Sequence, residues 1–265
     1  MPMAPANDDW NQIVHFAEEV AREGGKIAMK HYGNADPMLK FDMSLVTEAD
    51  LEVQAHIEAK ISEMFPDHAF LGEEGAAARA IDQTGHLWVV DPVDGTAAFS
   101  SGLPIWGVSL SHFFEGELKF GVFYMPATDE MYTGMGKKAF HNGKRIQARV
   151  DDQVDNESVL LTYSRFHHDF RSDFPGKIRS LGSSIAHIAY VARGAAWGAL
   201  LGRVHIWDIA PGLAVLKAAG GEIRDLEGNL FDPLKYIDGR EVDTIYLAAA
   251  KGQHDQIARF LNPTK

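Results

Sequence analysis

The first apolar positions recur at helical spacing. Trp10, Ile13, Val14, Ala17, Val20 and Ala21 fall on one stripe, which predicts an amphipathic helix over about 10–31 with Asn7 or Asp8 as its N-cap. Thr47-Glu48-Ala49-Asp50 then has the form of a capping box, and Leu51, Ile57, Ile61 and Met64 give a second helix its buried side before Pro66 ends it. From Leu87 the period changes. Leu87-Trp88-Val89-Val90, 105–113, 118–124 and 130–133 are short runs rich in β-branched and aromatic residues, and Asn142-Gly143 marks a tight hairpin.

Residues 149–157 are polar and charged, and they divide the chain. Beyond them the pattern alternates: a strand at 159–162, a helix at 183–193, a strand at 197–201 and a helix at 208–219 stopped by Gly220-Gly221. Strands at 222–224 and 244–249 and a terminal helix at 254–261 follow. The expected architecture is an α+β half (1–150) joined to an α/β half (151–265), working as one functional unit. The small-residue patch at 75–80 reads as a mobile loop.

Composition narrows the chemistry. Apolar residues make up 46% of 265, enough for a sizeable core. With 25 basic against 37 acidic residues the net charge is −12, which offers no basic footprint for nucleic acid. The absence of cysteine excludes disulfides, thiolate metal sites and a cysteine nucleophile. No signal peptide and no apolar run of about 18 residues is visible, so a soluble, cytoplasmic protein that contacts no membrane is expected.

The candidate chemistry lies in Asp91-Pro92-Val93-Asp94-Gly95-Thr96, directly after an apolar strand. Open α/β sheets present ligands where strands end. Pro92 stiffens that exit, the Val93 carbonyl and the Asp91 and Asp94 carboxylates form a hard oxygen set suited to Mg²⁺, and the Gly95 and Thr96 N–H groups can face an anion. Glu73 and Glu74, in the turn Gly72-Glu73-Glu74-Gly75, can complete the set. Taken alone, Asp50 and Asp208 are helix caps and Glu74 is a solvated loop charge. In Trp207-Asp208-Ile209-Ala210-Pro211, the proline falls in the first turn of the predicted helix.

Taken together and in this order, Gly-Glu-Glu, Asp-Pro-x-Asp-Gly-Thr-x-x-Phe and Trp-Asp-x-Ala-x-Gly resemble the inositol monophosphatase family. Lys40 with Ser44–Asp50, the central strands and Gly182-Ser183-Ser184 extend the likeness over nearly the whole chain. The resemblance implies a layered αβαβα sandwich, usually a homodimer, that hydrolyses a small phosphorylated metabolite with two to three Mg²⁺ ions and is sensitive to lithium. It implies that Glu73, Asp91 and the Val93 carbonyl hold one ion and Asp91, Asp94 and Asp208 a second, roughly 3.5–4 Å away, with a third touching Glu73 mainly through waters. Asp50 and Thr96, with Glu73, would activate the attacking water, and no phosphoenzyme would form. Asp94, Gly95, Thr96, Ser183 and Asp208 would face the substrate.

One departure concerns specificity. Inositol-specific members carry an acid shortly before Trp-Asp, yet between Ser183 and Asp208 this chain has none, and Leu201 stands near the expected place. Basic residues from Arg165 to Arg203 are read as a solvated face, with a second phosphate-binding role as the sharper hypothesis. Fructose-1,6-bisphosphatase or histidinol-phosphatase activity, or a non-catalytic phospholigand-binding role, are the alternatives. A haloacid-dehalogenase-type nucleophile is excluded because Pro92 occupies its position.

Overall fold

The computed structural model describes residues 9–34, 37–39, 45–75, 85–150 and 153–264. The patch at 75–80, Gly75 aside, and the caps expected at Asn7 or Asp8 lie outside them. Asp9 caps the first helix instead, accepting from Gln12 N at 3.3 Å. That helix, Trp10–Ala28, stops short of His31 because its last turn tightens, Lys30 N bonding Ile27 O and His31 N bonding Ala28 O.

Trp10–Ala28 and Glu48–Met64 cover one face of a seven-stranded sheet. Its strands run in spatial order Ala69–Gly72, His86–Asp94, Gly107–Phe114, Glu117–Met125, Glu130–Met135, Lys138–His141 and Lys144–Ile146. The first pair is parallel and the rest are antiparallel. Asn142 and Gly143 both take positive φ (47° and 73°), the turn that hairpin twist favours.

Strand alternation separates the cores. Trp88 and Val90 pack with the two N-terminal helices, whereas Leu87 and Val89 face a middle layer formed by the helices Ser184–Ala192 and Ile206–Ala218. A five-stranded sheet lies beyond: Lys177–Arg179, Val159–Leu161, Gly198–Leu201, Tyr246–Ala250 and Gly221–Asp225, in that order. Ala199 and Leu201 point into the middle layer, and Leu200 joins an outer cluster with Phe166, Phe170, Ile257 and Leu261. The layers are therefore αβαβα. The terminal helix is shorter than predicted, His254–Ala258, because Leu261–Pro263 leaves it to pair antiparallel with Phe170–Ser172. Leu201, near the expected specificity acid, is buried core.

The helix Ile206–Ala218 reaches the seven-stranded sheet through a trough. Gly121 and Gly134 are cross-strand partners. A Cβ on Gly121 would stand 2.3 Å from Pro211 O, and one on Gly134 2.3 Å from the Val215 Cα. No L side chain fits there without backbone movement. This close approach sets the depth at which the helix delivers Asp208. Asp208 is the third residue of that helix rather than its cap, and Pro211 is the sixth, past the first turn, so the Trp207 carbonyl lacks its i+4 donor.

Candidate active site

A β-bulge builds the centre. Asp91 pairs with Ser109 and Asp94 with Gly107, three steps on one strand against two on its neighbour. The extra residue reverses side-chain parity: Val93 joins the core of Trp88 and Val90, and Asp94 returns to the face of Asp91. Pro92, with no N–H to leave unpaired, sits inside the bulge. The Asp91 carboxylate accepts from Val93 N at 2.9 Å. Gly95 follows at φ 94°, with Gly182 O and Ile105 O each within about 3.2 Å of where a Cβ would lie, so both dihedral and space demand glycine.

Asp91, Asp94 and Asp208 each offer an oxygen within 4.8 Å of the others. Glu73 and Asp50 stand around this triangle, close enough for their charges to hold the Asp91 proton more tightly. Of the residues predicted for the site, Glu73, Asp91, Val93, Asp94, Gly95, Thr96, Asp50, Ser183 and Asp208 are all at or bordering this centre. Ser183 reaches it through Asp94: its hydroxyl donates to Asp94 Oδ2 and accepts from Ala186 N at 3.0 Å. Arg193 and Lys177, from the basic stretch, are paired instead with Glu130 and Glu157.

Three helix starts are closed by carboxylates of this centre. Asp50 is the third residue of Glu48–Met64, and its Oδ2 accepts from Thr47 N at 2.8 Å and Thr47 Oγ1 at 2.5 Å. Asp208 does the same for Ile206–Ala218, accepting from His205 N at 2.6 Å. Asp94 caps Ser184–Ala192 from outside, taking Ile185 N at 2.9 Å and Ser184 N at 3.2 Å. The cap explanation of Asp50 and Asp208 thus holds alongside the site explanation: one Asp50 oxygen closes its helix while the other accepts from Thr96, and Asp208 closes its own helix while standing in the acid triangle. Three positive helix ends make an acid-rich cleft hospitable to an anion as well.

The electrostatics follow from crowding. Burial, then Glu73, Asp94, Asp208 and Asp50, push the Asp91 carboxyl well above the carboxylate range. Burial and then Asp208 raise Asp94 to about 7, against hydrogen bonds from Ser183, Ile185 and Ser184 that favour its charged form. Burial disfavours a charged His205, but its contacts with Asp208 and the field of Glu73 outweigh that and raise it. Buried carboxylates that repel one another, all hard oxygen donors, suit a hard divalent cation.

Sequence reasoning missed the residue that shapes the Glu73 turn. Gln54 Nε2 donates to Glu74 O at 2.6 Å, and Glu74 N donates to Gln54 Oε1 at 2.8 Å. Glu74 is therefore tied through its backbone on both sides of the peptide. Gly72 leaves the room, since a Cβ there would lie 2.3 Å from Gln54 Oε1. The available signal was the glycine at a strand end, which marks close backbone approach.

Comparison with known proteins gives a consistent result. Residues 9–261 match the inositol monophosphatase family. The chain is 35% identical over 227 residues to a fructose-1,6-bisphosphatase/inositol-1-monophosphatase of Thermotoga maritima, covering 80% of this chain and 84% of the relative. It is 30% identical to human inositol monophosphatase 1 over 243 residues, covering 85% and 87%. The solved structure of a Thermotoga maritima IMPase superposes with a TM-score of 0.81 at 30% identity, covering 94% and 96%.

Proposed function

Because the chain belongs to the inositol monophosphatase family, and is with it a hydrolase of phosphate monoesters, we propose that it uses Mg²⁺ to cleave a small sugar or polyol phosphate. The observation that carries this reading is the convergence of Asp91, Asp94 and Asp208 within 4.8 Å beside helix N-termini. Glu73, Asp91, the Val93 carbonyl, Asp94 and Asp208 would hold two to three ions, which when bound neutralise the charge that develops on the phosphoryl oxygens.

The remaining roles belong to the chain itself. Thr96 Oγ1 lies 3.3 Å from Asp50 Oδ1 and 3.1 Å from the Val93 carbonyl, and its single hydrogen serves one of them at a time. Donated to Asp50, it leaves the Thr96 oxygen free to accept from a water. As that water attacks phosphorus and the P–O bond to the alcohol breaks, its proton passes to Thr96 Oγ1 and the threonine proton to Asp50 Oδ1, while the departing alkoxide takes a proton from solvent, to which Asp50 then returns its own. Thr47 holds the other Asp50 oxygen still. The N–H groups of Gly95 and Thr96, at the open start of Thr96–Ser100, receive the phosphate oxygens.

The Thermotoga relative's name joins fructose-1,6-bisphosphatase to inositol-1-monophosphatase. That breadth supports a substrate class of polyol and sugar phosphates, bisphosphates included, and leaves histidinol phosphate behind them. Hydrolysis of a panel of monoesters should require Mg²⁺, cease with chelator and be inhibited by Li⁺. Equal turnover in chelator would overturn the metal reading. Gln54→Leu should raise the Mg²⁺ concentration for half-maximal activity about 10–100-fold by loosening the Glu73 turn. An unchanged Mg²⁺ titration in a folded Gln54→Leu protein would show that the turn holds without it.

A further inference from the structure

Beside the central carboxylate lies a hydroxyl with nothing to bond. Ser109 is fully buried, and its Oγ has no hydrogen-bond partner among the described residues. A buried polar atom in that state opposes folding and calls for a reason. Ser109 is also the cross-strand partner of Asp91. We propose, on the reading of the acids as the ion-holding set, that Ser109 is a positioning residue. When the cleft holds Mg²⁺, the Ser109 hydroxyl donates to the Asp91 carboxylate and fixes the plane in which that carboxylate meets the ions.

The neighbours of Ser109 leave few other partners. Residues directly opposite in an antiparallel ladder share a face, with Cβ atoms about 4.5–5.5 Å apart. Two short polar side chains close that gap by rotation about their own torsions. On its other side Ser109 is paired with Phe123, whose side chain carries no lone pair. Along its own strand the same face holds Gly107, without a side chain, and Ser111, whose hydroxyl donates to Val89 O at 3.4 Å. Of these four, Asp91 offers the strongest acceptor. Its capacity also matches, because a carboxylate has roughly four lone-pair positions. Val93 N occupies one, on Oδ1 at 2.9 Å, and two ions sharing Asp91 would take one on each oxygen. One place remains for a hydroxyl.

A rival acceptor passes overhead. Between Pro211 and Val215 the helix Ile206–Ala218 moves from Gly121 to the neighbouring strand at Gly134, so one turn earlier it crosses the strand of Ser109. There Pro211 leaves the Trp207 carbonyl without its i+4 donor. Serving that carbonyl, Ser109 would hold the helix down whether or not ions are bound. Serving Asp91, it is idle until they arrive.

Ser109→Ala in the full chain separates the two roles through two measurements, melting in chelator and calorimetric Mg²⁺ binding without substrate. The alanine variant should melt in chelator no lower than wild type, since it loses only an unsatisfied hydroxyl, and should bind Mg²⁺ at least about tenfold more weakly. Wild-type Mg²⁺ affinity in Ser109→Ala overturns the role and leaves the reading of the acids standing. A lower melting temperature in chelator also overturns it, in favour of the Trp207 carbonyl. A wild-type chain that takes up no Mg²⁺ overturns the role together with the reading beneath it.

Discussion

Asp91→Asn is expected to lower turnover at least about 10³-fold, which corresponds to roughly 4 kcal/mol of transition-state stabilisation, and at the same time to make the metal-free protein more stable. Asp91 is 1% exposed and surrounded by Glu73, Asp94, Asp208 and Asp50, so without a cation its charge opposes folding. Asparagine keeps the shape and still accepts from Val93 N through its amide oxygen, but removes that charge. The opposed signs separate a ligand from a merely structural residue, whose replacement lowers both quantities. Activity within tenfold of wild type under saturating Mg²⁺, or a metal-free melting temperature that falls, would contradict the assignment.

The second prediction concerns pH. Folded, Asp94 keeps its proton to about 7; unfolded, an aspartate releases it near about 3.9. Folding therefore takes up a proton between these values. The stability tied to this group is complete below about pH 4 and is lost progressively as pH rises towards 7, by an amount on the order of 4 kcal/mol. In chelator, the melting temperature of Asp94→Asn relative to wild type should rise by several degrees from pH 5 to pH 7.5 and then level off. Saturating Mg²⁺ should flatten the difference in the wild-type chain by holding Asp94 ionised at every pH. A gap that stays constant across that range in chelator would show that Asp94 is not crowded as described.

Much of the site was legible because its parts are short and local. Asp91 to Thr96 form one strand end, and Trp207-Asp208 one helix start. The α+β and α/β halves followed from the change of period at Leu87 and the return to alternation after residue 157, whereas the layered order came only with the family resemblance. What the sequence hid was non-local. Nothing near Gln54 announces that its amide will clasp a turn twenty residues later. Leu261–Pro263 reads as the end of a helix until Phe170–Ser172 is present to pair with it. The bulge at Asp91–Asp94 becomes visible only against the register of Gly107 and Ser109. Helix boundaries moved for a similar reason: Asp208 was expected to open its helix, but the backbone N–H of His205 already closes on it from the turn before.

The double duty of Asp50 and Asp208 bears on how sequences of this kind age. Each carboxylate would still be retained for architecture in a descendant that no longer turns over anything, because losing it would fray a helix. Asp91 has the opposite standing: once catalysis ceases, a lineage gains by discarding it. Dead copies of this protein should therefore betray themselves first at residue 91, while residues 50 and 208 go on looking alive.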